Sequence, residues 1–220
     1  MNTTETKTNV ILPYDKVEEH TIEDLGVLPK KPFYSFVKRA FDIVVSFICI
    51  LVFLIPICII SLIIKFTTKG KVFYLQERLG KNGKKFNVIK FRTMVENAEQ
   101  HGPQWCSGKD DERITHLGKF LRKYHIDELP QLWCILSGHM SFVGPRPERE
   151  CFYEEFETYI HGFSERLKVI PGLTGLAQVH GDATMKPEIK IVYDVEYIKN
   201  RSLLSDLKII LMTMHFIARK

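Results

Sequence analysis

The most conspicuous feature of the chain is a long apolar run near its N-terminus. The segment Ile43–Ile64 contains no charged side chain, and basic residues flank it, with Lys38 and Arg39 before it and Lys65 after it. As a straight helix this run would be about 33 Å long, enough to cross the ~30 Å hydrocarbon core of a bilayer. The pattern therefore predicts a membrane helix.

Two topologies fit this run. A single span is the usual interpretation of an apolar helix of this length. Pro56 lies near the middle, however, and a proline cannot donate the backbone hydrogen bond that Val52 would accept. Because basic residues flank both ends, the positive-inside rule favours neither orientation. A re-entrant helix hairpin over residues 33–66, broken at Pro56 and with both ends on the cytoplasmic side, is an equally accessible structure.

Beyond this run the pattern alternates between short strands and helices. Val72–Gln76 and Phe86–Phe91 are rich in β-branched and aromatic residues, and Gly80–Gly83 lies between them, which predicts a β-hairpin. Helical spacing of apolar residues predicts three further helices, over residues 152–168, 187–200 and 203–218. The expected fold is a mostly helical α/β protein with a small β-hairpin or sheet.

The segment Arg113–His125 has a pronounced two-sided pattern. Leu117 and Leu121 follow helical spacing on one side, whereas Arg122 and other basic residues fill the opposite side. A basic amphipathic helix can lie at a membrane interface, and the same pattern describes a surface helix packed on a core. Both interpretations stay open at the level of sequence.

The first 32 residues differ from the rest of the chain. They contain few large apolar side chains and more acidic than basic residues, a composition typical of a flexible tail. A segment such as Ile22–Leu28 could nevertheless dock on the main body. The chain is thus divided into an acidic tail (1–32), a membrane element (33–66) and a globular domain (67–220).

Composition and motifs narrow the class of protein. The chain has 220 residues, 26% of them charged and 45% hydrophobic, with a net charge of +5 and a mean hydropathy of −0.07, which excludes a disordered chain and a polytopic membrane protein. The five cysteines form no C-x-x-C pair and the eight histidines no H-E-x-x-H motif, which argues against a disulfide scaffold and a zinc site. No G-x-x-x-x-G-K-[ST] loop or G-x-S-x-G elbow occurs, so NTPases and serine hydrolases are disfavoured.

Two adjacent carboxylates, Asp127 and Glu128, precede an apolar stretch and are followed by Pro130. This order is compatible with an ordinary helix start, with Asp127 as the N-cap and Glu128 complementing the helix dipole. The alternative is a catalytic pair in which one carboxylate is a nucleophile and the other binds a metal or moves a proton. Attack on a phosphate would require neutralisation by a divalent cation or by basic side chains.

Candidate phosphate ligands lie on both sides of this pair. Arg146 stands between two prolines that restrict the backbone around it, and a planar guanidinium binds phosphate through two parallel hydrogen bonds. Lys90 and Arg92, with Arg78 upstream, are cations that a strand end could present to the same cleft. The simpler interpretations are a rigid turn for Arg146 and a solvated polar face for the other three.

A series of short motifs occurs in a fixed order between residues 33 and 218. They are Lys38-Arg-x-x-Asp42, the apolar run with Pro56, Gln76-Glu-Arg-Leu-Gly80, Lys90-Phe-Arg-Thr-Met94, Ile126-Asp-Glu-Leu-Pro-Gln-Leu132, Met140-Ser-Phe-Val-Gly-Pro-Arg-Pro147, Pro171-Gly-Leu-Thr-Gly-Leu-Ala-Gln-Val179 and Tyr193-Asp-Val-Glu-Tyr-Ile198. Together they resemble the bacterial sugar transferases that are monotopic phosphoglycosyl transferases. The sequence departs from the family at Asp182, where many members have a basic residue. Many members also have a multi-span region in place of the acidic tail, so a minimal form is expected.

The resemblance implies a reaction and a mechanism. A sugar-1-phosphate passes from a UDP-sugar to undecaprenyl phosphate, UMP is released, and assembly of a capsule, exopolysaccharide, O-antigen or glycoprotein glycan begins. Asp127 would attack the phosphorus that bears the sugar, and the polyprenyl phosphate would then attack the phosphosugar–Asp127 intermediate. The resemblance also implies Mg²⁺ near Asp127 and Glu128. The residues expected to bind phosphate or substrate are Arg146, Lys90, Arg92, Arg78, Arg122 and Gln178.

The resemblance implies a location and partners as well. It favours the re-entrant element, with Lys38, Arg39, Asp42 and Pro56 as its membrane residues, and places a catalytic domain (67–220) on the cytoplasmic face of the bacterial inner membrane. The expected partners are the UDP-sugar, undecaprenyl phosphate and membrane lipid but not nucleic acid, with a second copy and downstream glycosyltransferases as further candidates. A non-catalytic scaffold or regulator of a glycan assembly complex is the main alternative, followed by a membrane-surface binding module.

Overall fold

The computed structural model describes residues 10, 19–100, 102–105, 111–181 and 184–218, so Asp182 lies outside the described residues. The helices are α1 (Pro32–Thr67), α2 (His116–Lys123), α3 (Leu132–Leu136), α4 (Glu150–Glu157), α5 (Leu176–His180), α6 (Pro187–Asn200) and α7 (Leu203–Ala218). The strands are β1 (His20–Thr21), β2 (Phe73–Leu79), β3 (Lys85–Phe91), β4 (Ser141–Val143), β5 (Ile160–His161) and β6 (Gly172–Thr174). Short 3₁₀ helices cover Lys81–Gly83, Ile126–Gln131 and Phe163–Lys168. The predicted class, mostly helical with small sheets and a long apolar N-terminal helix, is confirmed.

One detail of the membrane element requires correction. The resemblance predicts a re-entrant hairpin broken at Pro56, whereas α1 is helical from Pro32 to Thr67 with Pro56 inside it. A proline removes only one backbone hydrogen bond, and the neighbouring turns of a long helix keep theirs. The chemistry of Pro56 therefore does not by itself interrupt α1.

One side of α1 is buried along most of its length. The buried positions recur every four or seven residues, as expected for one stripe of a helix. They are Asp42, Ser46, Ile50, Ile57 and Ile64. Ile50 packs with residues of β3 and α3, and Ile57 and Ile64 pack with Phe91 and Leu121. Because both halves of the helix contact the same body, α1 does not lead away from it.

The opposite side of α1 is apolar and exposed. Val52 and Ile55, for example, are 64% and 71% exposed, and many neighbouring large apolar side chains are exposed as well. Within the described part of the chain, α1 is the one helix long and apolar enough to cross a membrane by length and composition. A continuous apolar surface of this kind is unfavourable in water and indicates contact with lipid.

The predicted β-hairpin is present and extends beyond its predicted limits. β2 and β3 pair antiparallel, with Phe73 opposite Phe91 and Arg78 opposite Phe86. The connection at Lys81–Gly83 is a 3₁₀ turn in which Asn82 and Gly83 adopt positive φ angles of 58° and 72°.

The basic amphipathic segment forms a shorter helix than predicted. Thr115 caps α2, since its Oγ1 accepts a hydrogen bond from the Gly118 amide at 2.9 Å. Leu121 is buried in the cluster that contains Ile64 of α1, so the interpretation as a helix packed on a core accounts for its inner side.

The single helix predicted over residues 152–168 is wrong. The chain forms α4, then β5, and then the 3₁₀ helix Phe163–Lys168. Gly162 stands between the last two with φ of 92°, a conformation that ends regular helix and favours glycine. The apolar spacing continued across this break, which is why periodicity alone predicted one helix.

The part of the N-terminal region that the structure describes from residue 19 onward docks on the body. β1 pairs parallel with β5, and Leu25 packs against two buried clusters. Its amide donates a 2.8 Å hydrogen bond to Glu165. Of the two arrangements left open for Ile22–Leu28, docking is the one observed.

Candidate functional site

The two adjacent carboxylates lie on the 3₁₀ helix that connects α2 to α3. His125 precedes it with a positive φ of 56°, which turns the chain sharply after α2. Ile126 and Leu129 pack into the cluster formed with α1, so Asp127 and Glu128 occupy the positions between two apolar anchors. Neither carboxylate caps a helix, which removes the structural alternative that the sequence left open for Asp127.

Glu128 is held by two cations. Lys90 at the end of β3 donates a hydrogen bond to Oε1 at 2.9 Å, and the Arg146 guanidinium donates to both carboxylate oxygens. Burial disfavours the ionised form of Glu128, but the charges of Arg146 and Lys90 outweigh it and hold the pKa of Glu128 well below its ordinary value. Conversely, the charge of Glu128 raises the pKa of Arg146. Glu128 is thus the fixed counter-ion of two candidate phosphate ligands, Lys90 and Arg146.

Asp127 has a different environment. Within the described residues, no hydrogen bond or ion pair reaches its carboxylate, although Lys90, Arg122 and Arg146 exert attractive charges on it. Burial and the neighbouring charge of Glu128 raise its pKa. A buried carboxylate whose lone pairs are not engaged, next to cations that can receive phosphate oxygens, is suited to nucleophilic attack at phosphorus.

The Arg146 loop is held by close backbone packing. β4 pairs parallel with β6, and beyond β4 the Gly144 amide donates to Thr174 at 2.9 Å while the Gly172 amide donates to Pro145 at 2.9 Å. A Cβ at Gly144 or Gly172 would clash with the opposite backbone. These two glycines let the chains approach closely enough to fix the loop that presents Arg146.

The remaining predicted ligands lie in different places. Arg122 donates to Thr93 at 2.8 Å and is near enough to Asp127 to lower its pKa, so it belongs to the site. Arg92 instead donates to the Thr68 hydroxyl at 2.6 Å, at the end of α1. Gln178 donates to the Leu173 carbonyl at 2.7 Å.

Arg92 was predicted from its motif as a cation at the end of a strand, and it lies just beyond β3. The sequence could not show that this position contacts the end of α1. Arg78 is partly buried and donates to Glu148 at 2.8 Å and to the Pro147 carbonyl at 3.0 Å. It therefore supports the site without contacting the carboxylate pair.

Three of the residues assigned to the membrane element, Lys38, Arg39 and Asp42, bind other parts of the protein. Arg39 donates to the carbonyls of Ile135 and Leu136, both at 2.7 Å. Asp42 accepts hydrogen bonds from Ser141 and the Phe142 amide.

Lys38 completes this attachment. It donates to the Val143 carbonyl at 2.9 Å and to Asp206 at 2.6 Å. The start of α1 is therefore hydrogen-bonded to the segment that joins the carboxylate pair to the Arg146 loop. These bonds attach the apolar helix directly to the candidate site.

Sequence reasoning missed a buried charged group behind Arg146. It comprises Glu148, Arg166, Lys190 and Asp194, all at most 8% exposed. One signal was available. Lys190 and Asp194 lie one turn apart on the same side of α6 as buried Ile191, Val195 and Ile198, where charge is unexpected.

A magnesium ion is compatible with the donor set around Asp127. Within the described residues, no group of three or more His, Cys, Asp or Glu side chains can hold a metal. Mg²⁺ commonly uses one or two carboxylates together with substrate phosphate oxygens and water. The unengaged oxygens of Asp127 fit such a partial site, whereas those of Glu128 are engaged by Arg146 and Lys90.

Comparison with known proteins identifies the family of the chain. A family model described as bacterial sugar transferase matches residues 33–220. The chain is 41% identical over 205 residues to UDP-N-acetylgalactosamine-undecaprenyl-phosphate N-acetylgalactosaminephosphotransferase of Aeromonas hydrophila, covering 92% of this chain and 48% of that protein. It is 43% identical over 183 residues to UDP-glucose:undecaprenyl-phosphate glucose-1-phosphate transferase of Klebsiella pneumoniae, covering 80% and 39%.

A shorter relative is matched over most of its length. The exopolysaccharide production protein ExoY of Sinorhizobium fredii is 37% identical over 199 residues, which cover 84% of this chain and 86% of that protein. The chain spans less than half of the first two relatives. On the strength of the family match, the chain belongs to the bacterial sugar transferase family.

Proposed function

We propose that this protein transfers a sugar-1-phosphate from a UDP-sugar to undecaprenyl phosphate, with release of UMP, as the first step of a surface glycan. The observation that carries the proposal is the unequal environment of the two carboxylates. Glu128 is paired with Lys90 and Arg146, and Asp127 beside them is paired with none of the residues that the structure describes. The names of the relatives, which include both UDP-sugars and undecaprenyl phosphate, support these substrates.

The first displacement uses Asp127 as the nucleophile. A carboxylate oxygen of Asp127 attacks the phosphorus that bears the sugar, and the bond from this phosphorus to the oxygen of UMP breaks. Lys90 and Arg146 lie where they can share their charge between Glu128 and the diphosphate oxygens, which reduces the repulsion between two anions. The product is an acyl phosphate, in which an Asp127 oxygen is bonded to the phosphorus that bears the sugar.

The second displacement restores the enzyme. A phosphate oxygen of undecaprenyl phosphate attacks the same phosphorus, the Asp127 oxygen leaves, and the polyprenyl-diphosphate sugar is formed. Mg²⁺ held at Asp127 would supply further neutralisation of the diphosphate charge. Because Asp127 lies on the helix that packs against α1, a lipid phosphate in the membrane surface has a short path to it.

The direct test is turnover by the full chain in detergent with Mg²⁺, undecaprenyl phosphate and a panel of UDP-sugars. We expect UMP release with one donor and, before lipid is added, a label from the donor's sugar-proximal phosphate on Asp127. Asp127→Asn should lose both, whereas the matched control Asp24→Asn, an exposed surface carboxylate, should lose neither. UMP release without label on the protein would exclude the covalent step.

We also propose that α1 enters the cytoplasmic leaflet of the inner membrane and that both of its ends stay on the cytoplasmic side. The buried stripe of α1 contacts one body at both halves of the helix, which supports this placement. Phe36 and Phe66 are exposed near the two ends of α1. Each can be replaced by cysteine in a variant from which the five native cysteines have been removed. A membrane-impermeant maleimide should label both from the cytoplasmic side, and labelling from opposite sides would demonstrate a span.

A further inference from the structure

The loop that presents Arg146 is supported by a cluster of buried charges. The Arg166 and Asp194 side chains are 0% and 2% exposed, and Arg166 Nε donates to Asp194 Oδ2 at 2.7 Å. Arg166 Nη2 donates at 2.8 Å to the carbonyl of Arg146 itself. The guanidinium also lies 4.8 Å from the centre of the Phe163 ring, so its plane is fixed by a charge, a ring and a backbone oxygen.

A second pair holds the next carbonyl along the loop. Arg78 donates to the carbonyl of Pro147 at 3.0 Å and to Glu148 at 2.8 Å. Glu148 also receives a hydrogen bond from Lys190 at 3.3 Å. Two consecutive carbonyls, those of Arg146 and Pro147, are thus each bound by an arginine that has its own carboxylate, and Arg166 is fully buried while Arg78 is partly buried.

Stability alone does not account for this arrangement. Removing charges from water costs several kcal/mol per ion, and a buried ion pair is often no more stable than well-packed apolar residues. What an arginine fork adds is direction, because it can bind a carboxylate and a carbonyl at the same time in a fixed geometry. Here the direction is imposed on the backbone of the residue whose guanidinium lies against Glu128.

We propose that Arg166, oriented by Asp194, is a positioning residue that aims the Arg146 guanidinium at the donor diphosphate. The proposal rests on the proposed function, in which Arg146 binds phosphate. In this proposal Arg166 acts on Arg146 only through its hydrogen bond to the Arg146 carbonyl. Its effect on the reaction must therefore disappear when Arg146 no longer carries a guanidinium.

The test is a double-mutant cycle with Arg166→Lys and Arg146→Lys, read as the KM for the UDP-sugar and the KM for undecaprenyl phosphate. Lysine keeps the charge but cannot reach Asp194 and the carbonyl together. Arg166→Lys should raise the KM for the UDP-sugar about tenfold in the parent and less than twofold in Arg146→Lys, as expected for coupled residues. The KM for undecaprenyl phosphate should change less than twofold.

A merely structural role gives a different result. If Arg166→Lys changed the donor KM by the same factor in both backgrounds, or raised both KM values together, the positioning role would be overturned. Lys168→Gln serves as the control, since it removes an ion pair from the same 3₁₀ helix at a partly exposed site. If Arg166→Lys does not fold, Asp194→Asn enters the same cycle with an expected effect of about threefold in the parent.

Binding of UDP, measured by calorimetry in the absence of turnover, separates failure of this proposal from failure of the proposed function. If the parent binds UDP through Arg146 but does not turn over UDP-sugars, the double-mutant cycle is measured with the Kd for UDP in place of the donor KM. The same fold-changes are then expected in that Kd. A parent that neither turns over UDP-sugars nor binds UDP would overturn the proposed function and this inference together.

Discussion

The protein contains two clusters of buried charge on the two sides of the Arg146 loop, and they differ in how completely the charges are matched. Behind the loop, Arg166 is paired with Asp194, and Glu148 is paired with both Arg78 and Lys190. In front of it, Glu128 holds Lys90 and Arg146 while Asp127 has no partner among the described residues.

This difference separates support from reactivity. A buried charge whose partner is removed becomes strongly destabilising, so matched charges hold the backbone in place. A carboxylate that is left unmatched costs stability, and that cost is justified where its lone pairs are needed for chemistry. Substitution of Asp127 should consequently lower activity without lowering stability, whereas substitution of Glu148 should lower stability.

The largest expected effect is that of Asp127→Asn. Removal of the nucleophile should lower kcat by about 10⁴-fold or more, as in other enzymes that lose a covalent nucleophile. The variant should be as stable as the parent or more stable by about 1 kcal/mol, because an unpaired buried charge is gone. UMP release measures the loss of activity, and thermal unfolding in the same detergent measures the change in stability. A loss of stability as large as that of Glu148→Gln would contradict the distinction between the clusters.

Glu148→Gln should have the next largest effect, and this effect should be on stability and not on activity. The substitution leaves Arg78 and Lys190 without their carboxylate, which should lower the free energy of unfolding by about 3 kcal/mol. Glu150→Gln is the matched control, because the Glu150 carboxylate is paired with Lys85 but 47% exposed and should cost less than about 1 kcal/mol. Thermal unfolding of the two variants measures both losses of stability, and equal losses would contradict the prediction.

The pH dependence of stability sharpens the same comparison. Burial opposes ionisation of Glu148, but the charges of Lys190, Arg78 and their neighbours lower its pKa from 4.5 to about 2. A carboxyl whose pKa is depressed on folding stabilises the protein above its unfolded pKa, and this contribution is lost as the pH falls through the folded pKa. The stability difference between the parent and Glu148→Gln should therefore shrink between about pH 4.5 and pH 2.

A smaller effect distinguishes Lys90 from Arg92, two residues apart in the sequence. Lys90→Met removes a cation from Glu128 and from the diphosphate and should raise the donor KM about tenfold. Arg92→Met should leave the donor KM within about twofold, since Arg92 contacts Thr68 at the end of α1. Equal effects on the KM for UDP-sugar would return Arg92 to the phosphate site.

The smallest expected change is a shift of the acid limb of the kcat–pH profile in Glu128→Gln. The charge of Glu128 raises the pKa of Asp127, and Asp127 must be ionised to attack. Without that charge the acid limb should move to lower pH, whatever the change in the maximal kcat. A shift to higher pH would show that Asp127 is not the group that titrates.

The sequence was most informative where one residue type has one strong physical preference. The apolar run, the β-hairpin around Gly80–Gly83 and the restricted Arg146 between prolines were all predicted from local chemistry. The sequence was less informative about which groups the long polar side chains contact. Arg92 and Gln178 were assigned to the site because of their motifs, but their side chains bind Thr68 and the Leu173 carbonyl, and no local pattern reports where a long side chain ends.

By itself the sequence determined the membrane element, the adjacent carboxylates and the family motifs, because hydrophobicity, proline restriction and residue order are properties of the chain. The tertiary structure decided which carboxylate is paired, that Lys38, Arg39 and Asp42 bind the segment 135–143, and that Arg166 reaches the Arg146 carbonyl across 20 residues. These outcomes depend on which groups are brought together when water is excluded. Charge pairing in the interior is a property of the folded arrangement and of no segment alone.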